Sequence, residues 1–348
     1  MRILQVITRS ELGGAQTVVV QLANKLCHNH EVIVAVGEGD GKMWDTVSPN
    51  VIREYCPHLQ RAVSLKNDLL AAIELRRLYK KYKPDIIHLH SSKAGTLGRL
   101  VFPSKNLVYT VHGFDSVRLA FRKFLPIERF LQRFCSAIVA VSEYDRRNLI
   151  NEGIVNYVST VYNGIVKPSA DNLVGLDIMS KYDKIVLSIA RVFPQKNPKL
   201  FVDIARLLPE YGFIWIGNQR EITEFDLPSN CHFVGNVSNA GAYCAFADIF
   251  VLTSNYEGLP MTIIEAMSHG KPIISSDVGG VSEIVHNGEN GYVLPNCASI
   301  FAEKIKYVLE NDEVYNSMAK ISECIFYDRL TVDKMVDGYI KIYNEIIK

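Results

Sequence analysis

Two acidic side chains, Glu257 and Glu265, are separated by seven residues in the stretch YEGLPMTIIEAMSHGKPIISSDVGG, which begins at Tyr256. Pro260 suits the first turn of a helix, which Gly270 would end. Glu257 is then in a loop and Glu265 inside the helix, so the two carboxylates do not converge on one atom as an acid/base pair. They bracket a helix N-terminus, which favours phosphate and hydroxyl ligands. Taken singly, each is also compatible with an ordinary helical or first-turn glutamate.

Cations and glycines follow two other predicted strands. Arg191 ends the strand KIVLSIAR, and Lys196 follows just before a helix opens at Asn197-Pro198. This pair could grip a diphosphate or belong to a solvated loop. Gly13 and Gly14 precede another helix, where glycine lets the backbone approach a phosphate, but the third glycine of a dinucleotide fingerprint is absent. That turn is equally compatible with a tight structural connection.

Three histidines lie at or near predicted strand ends. His88 and His90 share one face of an extended strand, and His112 follows the next strand, in YTVHGFD. A lone histidine is more often packed than functional, but three at one rim favour a functional role for His112. A metal site is not expected, because no acidic or cysteine partner lies at ligand spacing.

The segment 117–134, VRLAFRKFLPIERFLQRF, is basic and aromatic. At 100° per residue its arginines fall within an arc of ~60°, opposite its large apolar residues, although Pro126 kinks or breaks the helix. Such a stretch suits the headgroup layer of an anionic membrane, and a surface helix packed on its own domain is an equal alternative. The candidate membrane residues are Arg118, Arg122, Lys123, Arg129 and Arg133.

Short β-branched runs alternate with helix-period segments along the whole chain, which is typical of parallel βαβ units. The Gly, Pro, Ser and Asp-rich segment 162–183 is the predicted boundary between two doubly wound sheets, which would face each other across a cleft. The predicted strands are 2–8, 31–37, 85–90, 106–113, 137–142 and 159–164 before that segment, and 184–191, 213–218, 231–236, 248–254, 272–277 and 291–294 after it.

Bulk composition excludes several classes of protein. Thirty-eight Lys and Arg against 37 Asp and Glu give a formal charge of +1, so no overall field attracts nucleic acid. Seven widely spaced cysteines without a Cys-x-x-Cys pair favour a reducing cytosol. The first apolar run is too short for a signal peptide or a membrane span, so a cytoplasmic protein is expected.

Together these motifs resemble the retaining glycosyltransferases of family 4, which have the GT-B fold of two Rossmann-like domains. The resemblance covers nearly the whole chain and includes GGAQ, TVHGFD, AVSEYDRRNL, ARVFPQKNP, FVGNV, EGLPMTIIEAMSHGKPIISSDVGG and NGYVL. The two glutamates with their seven-residue gap are its most specific motif. It implies an acceptor-binding domain over 1–166, a nucleotide-sugar domain over 167–330, and a C-terminal helix, 331–348, that packs back on the first domain.

The resemblance also implies a role for each matching residue. Arg191 and Lys196 would neutralise the donor diphosphate, Glu257 would hold the transferred sugar, and His112 would face that sugar. Glu265 would bind the ribose, and Gln16 would lie on the acceptor side. The remaining donor-binding residues would be Gly13, Gly14, Val234, Gly258, Leu259, Met261 and Thr262.

The implied reaction moves a hexose or N-acetylhexosamine from a nucleotide sugar, with UDP as the expected nucleotide, to a glycan or lipid-linked hydroxyl at the inner face of the membrane. No metal or other cofactor is expected, since the Arg/Lys pair does that work. A nucleotide-sugar epimerase of the same fold and a non-catalytic partner subunit are the alternatives. Two departures from the family pattern stand out: Asn197 replaces a common glycine, and Leu259-Pro260 replaces an aromatic-glycine pair.

Overall fold

The computed structural model describes residues 1–171, 173, 176–218 and 222–348. It divides into two compact units, one formed by Met1–Gly164 with Val332–Lys348 and the other by Ile165–Thr331. Three residues of the predicted boundary segment, at 172, 174 and 175, lie outside the described part. Each unit is built on its own parallel sheet with helices packed against it, so the α/β doubly wound class is confirmed.

The first unit contains a seven-stranded parallel sheet in the order β3-β2-β1-β4-β5-β6-β7. Its strands are β1 (Arg2–Ile7), β2 (Glu31–Val36), β3 (Ile52–Tyr55), β4 (Ile86–His90), β5 (Leu107–Val111), β6 (Ala137–Ala140) and β7 (Val158–Thr160). Its helices are α1 (Gly14–Leu26), α2 (Leu65–Tyr82), α3 (Ser92–Val101), α4 (Leu125–Leu131), α5 (Glu143–Asn151) and, from the end of the chain, α10 (Val332–Ile347).

The second unit contains a six-stranded parallel sheet in the order β10-β9-β8-β11-β12-β13. Its strands are β8 (Ile185–Ile189), β9 (Gly212–Ile216), β10 (Cys231–Phe233), β11 (Ile249–Leu252), β12 (Ile273–Ser276) and β13 (Gly291–Leu294). Its helices are α6 (Pro198–Leu207), α7 (Met261–Ser268), α8 (Ala298–Leu309) and α9 (Asp312–Arg329).

All twelve strands expected from the sequence are present, and β3 is an addition that the sequence did not predict. β3 is the edge strand of its sheet, and its four residues alternate between half-buried and exposed. The charged residues Arg53 and Glu54 interrupt its apolar pattern, which is common at an edge that must not pair further. The pattern was therefore too weak to mark it as a strand.

The C-terminal helix α10 completes the first unit. It packs against α1, and its buried tyrosines reach polar residues of the central strands. The Tyr343 hydroxyl lies 2.7 Å from His88 Nδ1, and the Tyr339 hydroxyl lies 3.1 Å from Thr110 Oγ1. Because buried polar atoms need partners, these contacts let the sheet carry a polar stripe inside its core. The helix thus returns to the first unit, as the fold class predicted.

Candidate active site

Lys196 lies in the loop that follows β8, at the end of the turn Pro194–Lys196. The next residue, Asn197, has a φ of +48°, and its side chain accepts a hydrogen bond from the Leu200 amide at the start of α6. Asparagine tolerates this left-handed conformation better than most residues, so it can replace glycine here. The departure at Asn197 is therefore accommodated, and it fixes the backbone that carries Lys196.

Glu257 and Lys196 form an ion pair. Lys196 Nζ lies 2.5 Å from Glu257 Oε1, and the Ser254 hydroxyl donates to the same oxygen at 2.6 Å. The Glu257 side chain is only 8% exposed, so its carboxylate depends on these donors in place of water. The residues that the sequence assigned to a diphosphate and to a sugar thus lie side by side. Ser254 was not identified, because one serine at a strand end carries no distinctive signal.

The loop that carries Glu257 is held by two glycines. The Gly280 amide donates to Gly258 O at 2.8 Å, and a Cβ at Gly279 would lie 2.7 Å from the same oxygen and closer still to Glu257 O. Gly279 also has a φ of +57°. Any other residue there would have to displace the backbone of the loop. Both glycines follow β12 in the quoted stretch, yet nothing in their spacing indicated this contact.

Glu265 lies on α7, half-buried, with its carboxyl group over the backbone of Gly241. A Cβ at Gly241 would be 2.9 Å from Glu265 Oε2, so this glycine makes room for the acid. Among the described residues the carboxylate has no hydrogen bond or ion pair. Burial alone raises the pKa of Glu265 to about 7. A carboxyl group without a partner in the described part of the chain is suited to the hydroxyl groups of a ligand.

The N-terminus of α7 separates the two glutamates. Pro260 occupies the position just before the first helical residue, Met261, and its missing N–H is not one that the helix requires. The side chains of Leu259 and Met261 are buried, so these residues present only their backbone. Free N–H groups in the first turn, with the helix dipole behind them, favour an anion. The predicted helix N-terminus between the glutamates is therefore present.

Arg191 and Val234 also lie beyond strand ends. Arg191 follows β8, is exposed, and has its guanidinium 5.4 Å from the centre of the Phe193 ring. Val234 follows β10, and its amide donates to Trp215 O at 3.0 Å. Since the Val234 amide already donates to Trp215 O, a nucleotide base would have to form its hydrogen bond with the Val234 carbonyl. Their roles toward a ligand stay predictions.

In the first unit, the glycine turn after β1 leads directly into α1, as predicted. Gly13 is the capping residue and Gly14 the first helical residue. Gln16 folds back over this turn: its Nε2 donates to Arg9 O at 3.3 Å, and a Cβ on Gly13 would be 2.8 Å from its Oε1. A side chain at Gly13 would therefore push Gln16 away. The acceptor-side role of Gln16 stays a prediction.

The three histidines form a stack at the ends of β4 and β5. The rings of His88 and His90 are 3.9 Å apart, those of His90 and His112 are 5.2 Å apart, and His90 Nδ1 lies 3.0 Å from His112 Nε2. Burial lowers the pKa of His112 to about 4 and places the pKa values of His88 and His90 well below the usual value. The stack is therefore neutral at physiological pH.

The hydrogen bond between His90 and His112 decides where the proton sits. His90 Nε2 is buried and has no partner in the described part of the chain. If His112 Nε2 donated the hydrogen bond, the proton of His90 would be on Nε2, which would be a buried N–H without a partner. If His90 Nδ1 donates, His90 Nε2 is a buried acceptor without a partner, which is the more tolerated defect. We therefore assign the bonding proton to His90 Nδ1. His112 then carries its own N–H on Nδ1 as a donor. Sequence reasoning recognised the shared rim but not this pairing.

The basic segment 117–134 is not one amphipathic helix, which corrects the sequence interpretation. It consists of a π-helical turn at Ser116–Ala120, a 3-10 turn at Arg122–Phe124, the short helix α4 that Pro126 opens, and a last turn at Gln132–Phe134. Proline at a first helical turn starts a helix and does not kink one. The common arc of arginines therefore does not form.

Three of the five basic residues in that segment make ion pairs. Arg118 lies 2.7 Å from Asp115, and Arg122 and Arg129 both contact Glu152, at 2.8 and 2.9 Å. Lys123 and Arg133 lie over the exposed rings of Phe124 and Phe130. The exposed part of this segment therefore consists mainly of apolar side chains, with fewer available cations than the sequence indicated. The exposed apolar residues are Leu119, Phe121, Phe124, Ile127 and Phe130.

The described residues contain no group of three or more His, Cys, Asp or Glu residues arranged to hold a metal ion. None of their helices combines the length and the apolar composition needed to cross a bilayer.

Solved structures identify the class of protein to which this architecture belongs. Sucrose-phosphate synthase from Thermosynechococcus elongatus superposes with a TM-score of 0.84 at 19% identity, covering 99% of this chain and 98% of that one. HepE from Anabaena, in complex with UDP-glucose, superposes with a TM-score of 0.81 at 21% identity, covering 99% and 100%. Each of the two parallel α/β units therefore belongs to the GT-B fold.

Two family models match consecutive parts of the sequence. Glycosyltransferase Family 4 matches residues 12–166, and Glycosyl transferases group 1 matches residues 179–323. The chain therefore belongs to glycosyltransferase family 4, whose members are retaining and metal-independent. This membership confirms the resemblance seen in the sequence.

Characterised relatives extend over nearly the whole chain. The chain is 27% identical to an Escherichia coli UDP-Gal:alpha-D-GlcNAc-diphosphoundecaprenol alpha-1,3-galactosyltransferase, covering 97% of this chain and 95% of the relative. It is 26% identical to the O-antigen biosynthesis glycosyltransferase WbnH of Escherichia coli, covering 98% of both. A Campylobacter jejuni N,N'-diacetylbacillosaminyl-diphospho-undecaprenol alpha-1,3-N-acetylgalactosaminyltransferase is 31% identical over 47% of this chain and 45% of that relative.

Proposed function

We propose that this enzyme transfers a hexose or N-acetylhexosamine from a UDP-sugar to a hydroxyl of a glycan carried on a polyprenyl diphosphate, during synthesis of a cell-surface polysaccharide. The names of the Escherichia coli and Campylobacter jejuni relatives support this substrate class, since both enzymes extend a sugar on diphospho-undecaprenol. The linkage in both names is alpha-1,3, which is consistent with a retaining enzyme.

The observation that carries the proposal is the partly buried cluster of Lys196, Glu257 and Ser254 in the loops near the N-terminus of α7. It offers a cation for the diphosphate and a fixed carboxylate for sugar hydroxyls within one strand-end region. Glu265 would accept hydrogen bonds from the ribose. Arg191 would add a second cation at the diphosphate, and the backbone of 258–262 would line sugar and phosphate.

The chemistry follows from these roles. The bond between the sugar C1 and the diphosphate oxygen breaks, and Lys196 and Arg191 neutralise the charge that develops on the departing UDP. The acceptor oxygen forms the new bond to C1 on the same face, and its proton passes to the phosphate oxygen that has left. The products are UDP and a glycan that is one sugar longer, with the anomeric configuration retained.

The first experiment tests transfer directly. The purified chain is incubated with UDP-galactose, UDP-glucose and their two N-acetylhexosamine counterparts, each with a short-chain polyprenyl-diphosphate-linked N-acetylglucosamine. We expect one donor to give an extended product with an α linkage by NMR. No transfer from any donor, or a β linkage, would refute the proposal.

Omission of the acceptor separates an epimerase from a transferase, because only an epimerase converts the donor into another nucleotide sugar. Glu257→Gln should lower kcat/KM by about 10- to 100-fold, since it removes charged hydrogen bonds. Glu289→Gln, an exposed glutamate of the same unit, is the matched control.

The same proposal places the enzyme at the inner face of the membrane. The apolar residues exposed on the segment 116–134 support a peripheral contact, because they offer side chains suited to the interface between headgroups and acyl chains. The double substitution Leu119→Ser and Phe121→Ser should weaken binding to anionic vesicles. Unchanged binding would remove this segment from the proposal.

A further inference from the structure

Helix α2 presents apolar residues on two sides, which a helix at the surface of a globular domain does not require. Ala71, Leu75 and Leu78 are buried against the sheet. Leu65, Leu69 and Ile73 follow each other at intervals of four residues and are 90%, 65% and 40% exposed. Residues at this spacing form one stripe on a helix. A second apolar stripe is therefore uncovered.

The stripe continues into the residues that precede the helix. Val63 is 76% exposed, two residues before the first helical residue. Large apolar side chains left in water forgo the free energy that their burial would contribute. Clustered exposure of this kind marks an interaction site, whereas single exposed apolar residues are ordinary.

The charges beside the stripe have one sign. Across the segment 61–80, every charged residue that is exposed is a cation. The two acids of the segment point away from the exposed face: Asp68 lies 2.6 Å from Lys93 of α3, and Glu74 lies 2.5 Å from His58. The exposed cations are Arg61, Lys66, Arg76, Arg77 and Lys80.

The apolar stripe and the surrounding cations together indicate which kind of partner this face of α2 would bind. A surface that mixes exposed leucines with cations, and from which the acids have been withdrawn, is complementary to a sheet of anionic headgroups over acyl chains. Cations near the apolar end, Arg61 and Lys66, can reach phosphates while the leucines enter the interface. The cations near the C-terminal end of α2, Arg76, Arg77 and Lys80, lie a few helical turns further along the same face.

The position of α2 lets it meet the same plane as the segment 116–134. The chain enters α2 after the carboxyl end of β3, and it enters the segment 116–134 after the carboxyl end of β5, so both begin at one edge of the sheet. α3 packs against both α2 and α4, which places all three helices on one face. A flat bilayer lying along that face can therefore contact both.

We propose that the exposed face of α2, with Val63, Leu65, Leu69 and Ile73 and the cations around them, is a second membrane-contact surface that binds anionic phospholipid. It rests on the proposed function to the extent that a lipid-linked acceptor lies in that membrane. Its role is to hold the first unit at the bilayer, independently of the transfer chemistry in the second unit.

The test is sedimentation of the full chain with vesicles of phosphatidylcholine alone or mixed with phosphatidylglycerol, at low and high salt. Wild type should bind the anionic vesicles, and binding should weaken as salt rises. Leu65→Ser with Leu69→Ser should weaken binding at least tenfold. Arg76→Gln, Arg77→Gln and Lys80→Gln together should weaken it roughly 100-fold, at about fivefold per cation near the surface.

Matched controls come from exposed residues of the second unit. Leu207→Ser tests the loss of an exposed leucine, and Lys199→Gln with Lys306→Gln and Lys320→Gln tests the loss of three cations. Both should bind vesicles like wild type. All substituted side chains are exposed, so thermal unfolding should be unchanged, and it is measured for every variant.

Activity separates this proposal from the proposed function. The α2 variants should transfer sugar to a water-soluble, short-chain acceptor at the wild-type rate and should lose activity only with acceptor embedded in anionic vesicles. Vesicle binding equal to wild type in the α2 variants would overturn the proposal. A loss of self-association in those variants, with vesicle binding intact, would also overturn it and assign the stripe to a protein interface.

Discussion

The two units handle charge in opposite ways at the ends of their strands. In the second unit, Lys196 and Glu257 form a partly buried ion pair, and the carboxyl group of Glu265 on α7 has no hydrogen-bond or ion-pair partner among the described residues. In the first unit, His88, His90 and His112 are neutral, because burial lowers their pKa values. One fold class thus supports a charged site and an uncharged one.

This difference matches what each unit would have to bind. A departing diphosphate needs fixed cations, since its charge grows as the bond breaks. A hydroxyl acceptor or a sugar needs directional hydrogen bonds without net charge, and a neutral imidazole with a defined N–H provides one. If the proposed function holds, residues of the second unit would stabilise charge and residues of the first unit would orient a hydroxyl group.

The largest expected effect comes from removing the cation of the charged site. Lys196→Met should lower kcat by about 10²–10³-fold, the usual effect of losing one donor to a developing anion. The measurement is release of UDP in the presence of acceptor. Lys199→Met, three residues further along and exposed beside Asp203, removes the same charge and should leave kcat unchanged. A decrease of less than tenfold for Lys196→Met would contradict the assignment.

An intermediate effect is expected from Glu265. Its pKa is about 7 in the folded state and 4.5 without perturbation, so between these values the folded state binds more protons than the unfolded chain. The stability of wild type should therefore fall as the pH rises from 4.5 to 7, and the penalty should be complete above 7. Glu265→Gln has no titrating group at this position. The free energy of unfolding of Glu265→Gln minus that of wild type should therefore be greater at pH 8 than at pH 4 by on the order of 3 kcal/mol.

Urea unfolding followed by Trp215 fluorescence measures this difference, in a Trp44→Phe background so that only the second unit reports. UDP affinity provides an opposite readout, because the ribose hydroxyls need the ionised carboxylate, so wild-type affinity should rise through pH 7. Parallel stability profiles for wild type and Glu265→Gln would show that the carboxyl is not desolvated.

The smallest effect is expected in the neutral site. His90→Phe removes the hydrogen bond to His112 and should lower kcat by about tenfold without changing the KM for the donor, the effect of losing one hydrogen bond. His90→Asn places an amide near the position of Nδ1 and should restore part of the loss. Imidazole ¹⁵N NMR should report an Nδ1–H tautomer for His112 in wild type and a mixture in His90→Phe.

His88→Phe is the control for this pair, because His88 is equally buried but bonds to Tyr343 and Thr110 and not to His112. It should lower stability while leaving the His112 signals in place. An Nε2–H tautomer in wild type would reverse our assignment of the shared proton.

Local patterns were sufficient for every described strand except β3, for the start of α1 and for both ends of α7, because periodicity, glycine and proline act over a few residues. They failed where a partner is distant in sequence. The arginines of 117–134 fit one helical arc, but two of them form ion pairs with Glu152, which lies 30 residues after Arg122 and 23 residues after Arg129. A hydrophobic pattern records neither this competition nor the turns that accompany it.

The same limit applies to the site. The types of Lys196 and Glu257 and their places at strand ends were readable, but their direct contact spans 61 residues of sequence. The bond between His90 and His112 joins two strands that are adjacent in the sheet. The exposed stripe of α2 was missed for another reason: leucines at a spacing of four are expected to be buried, and only the packing of the sheet shows which stripe stays outside.

The return of α10 to the first unit has a consequence for biosynthesis. The second unit, Ile165–Thr331, has all its residues once the chain has been made to Thr331. The first unit begins earlier in the chain but at that point still lacks Tyr339 and Tyr343, so their contacts with Thr110 and His88 form only after α10 has been translated. Translation that terminates within Val332–Lys348 would release a chain with a complete second unit and an incomplete first unit, which is a substrate for chaperones and proteases.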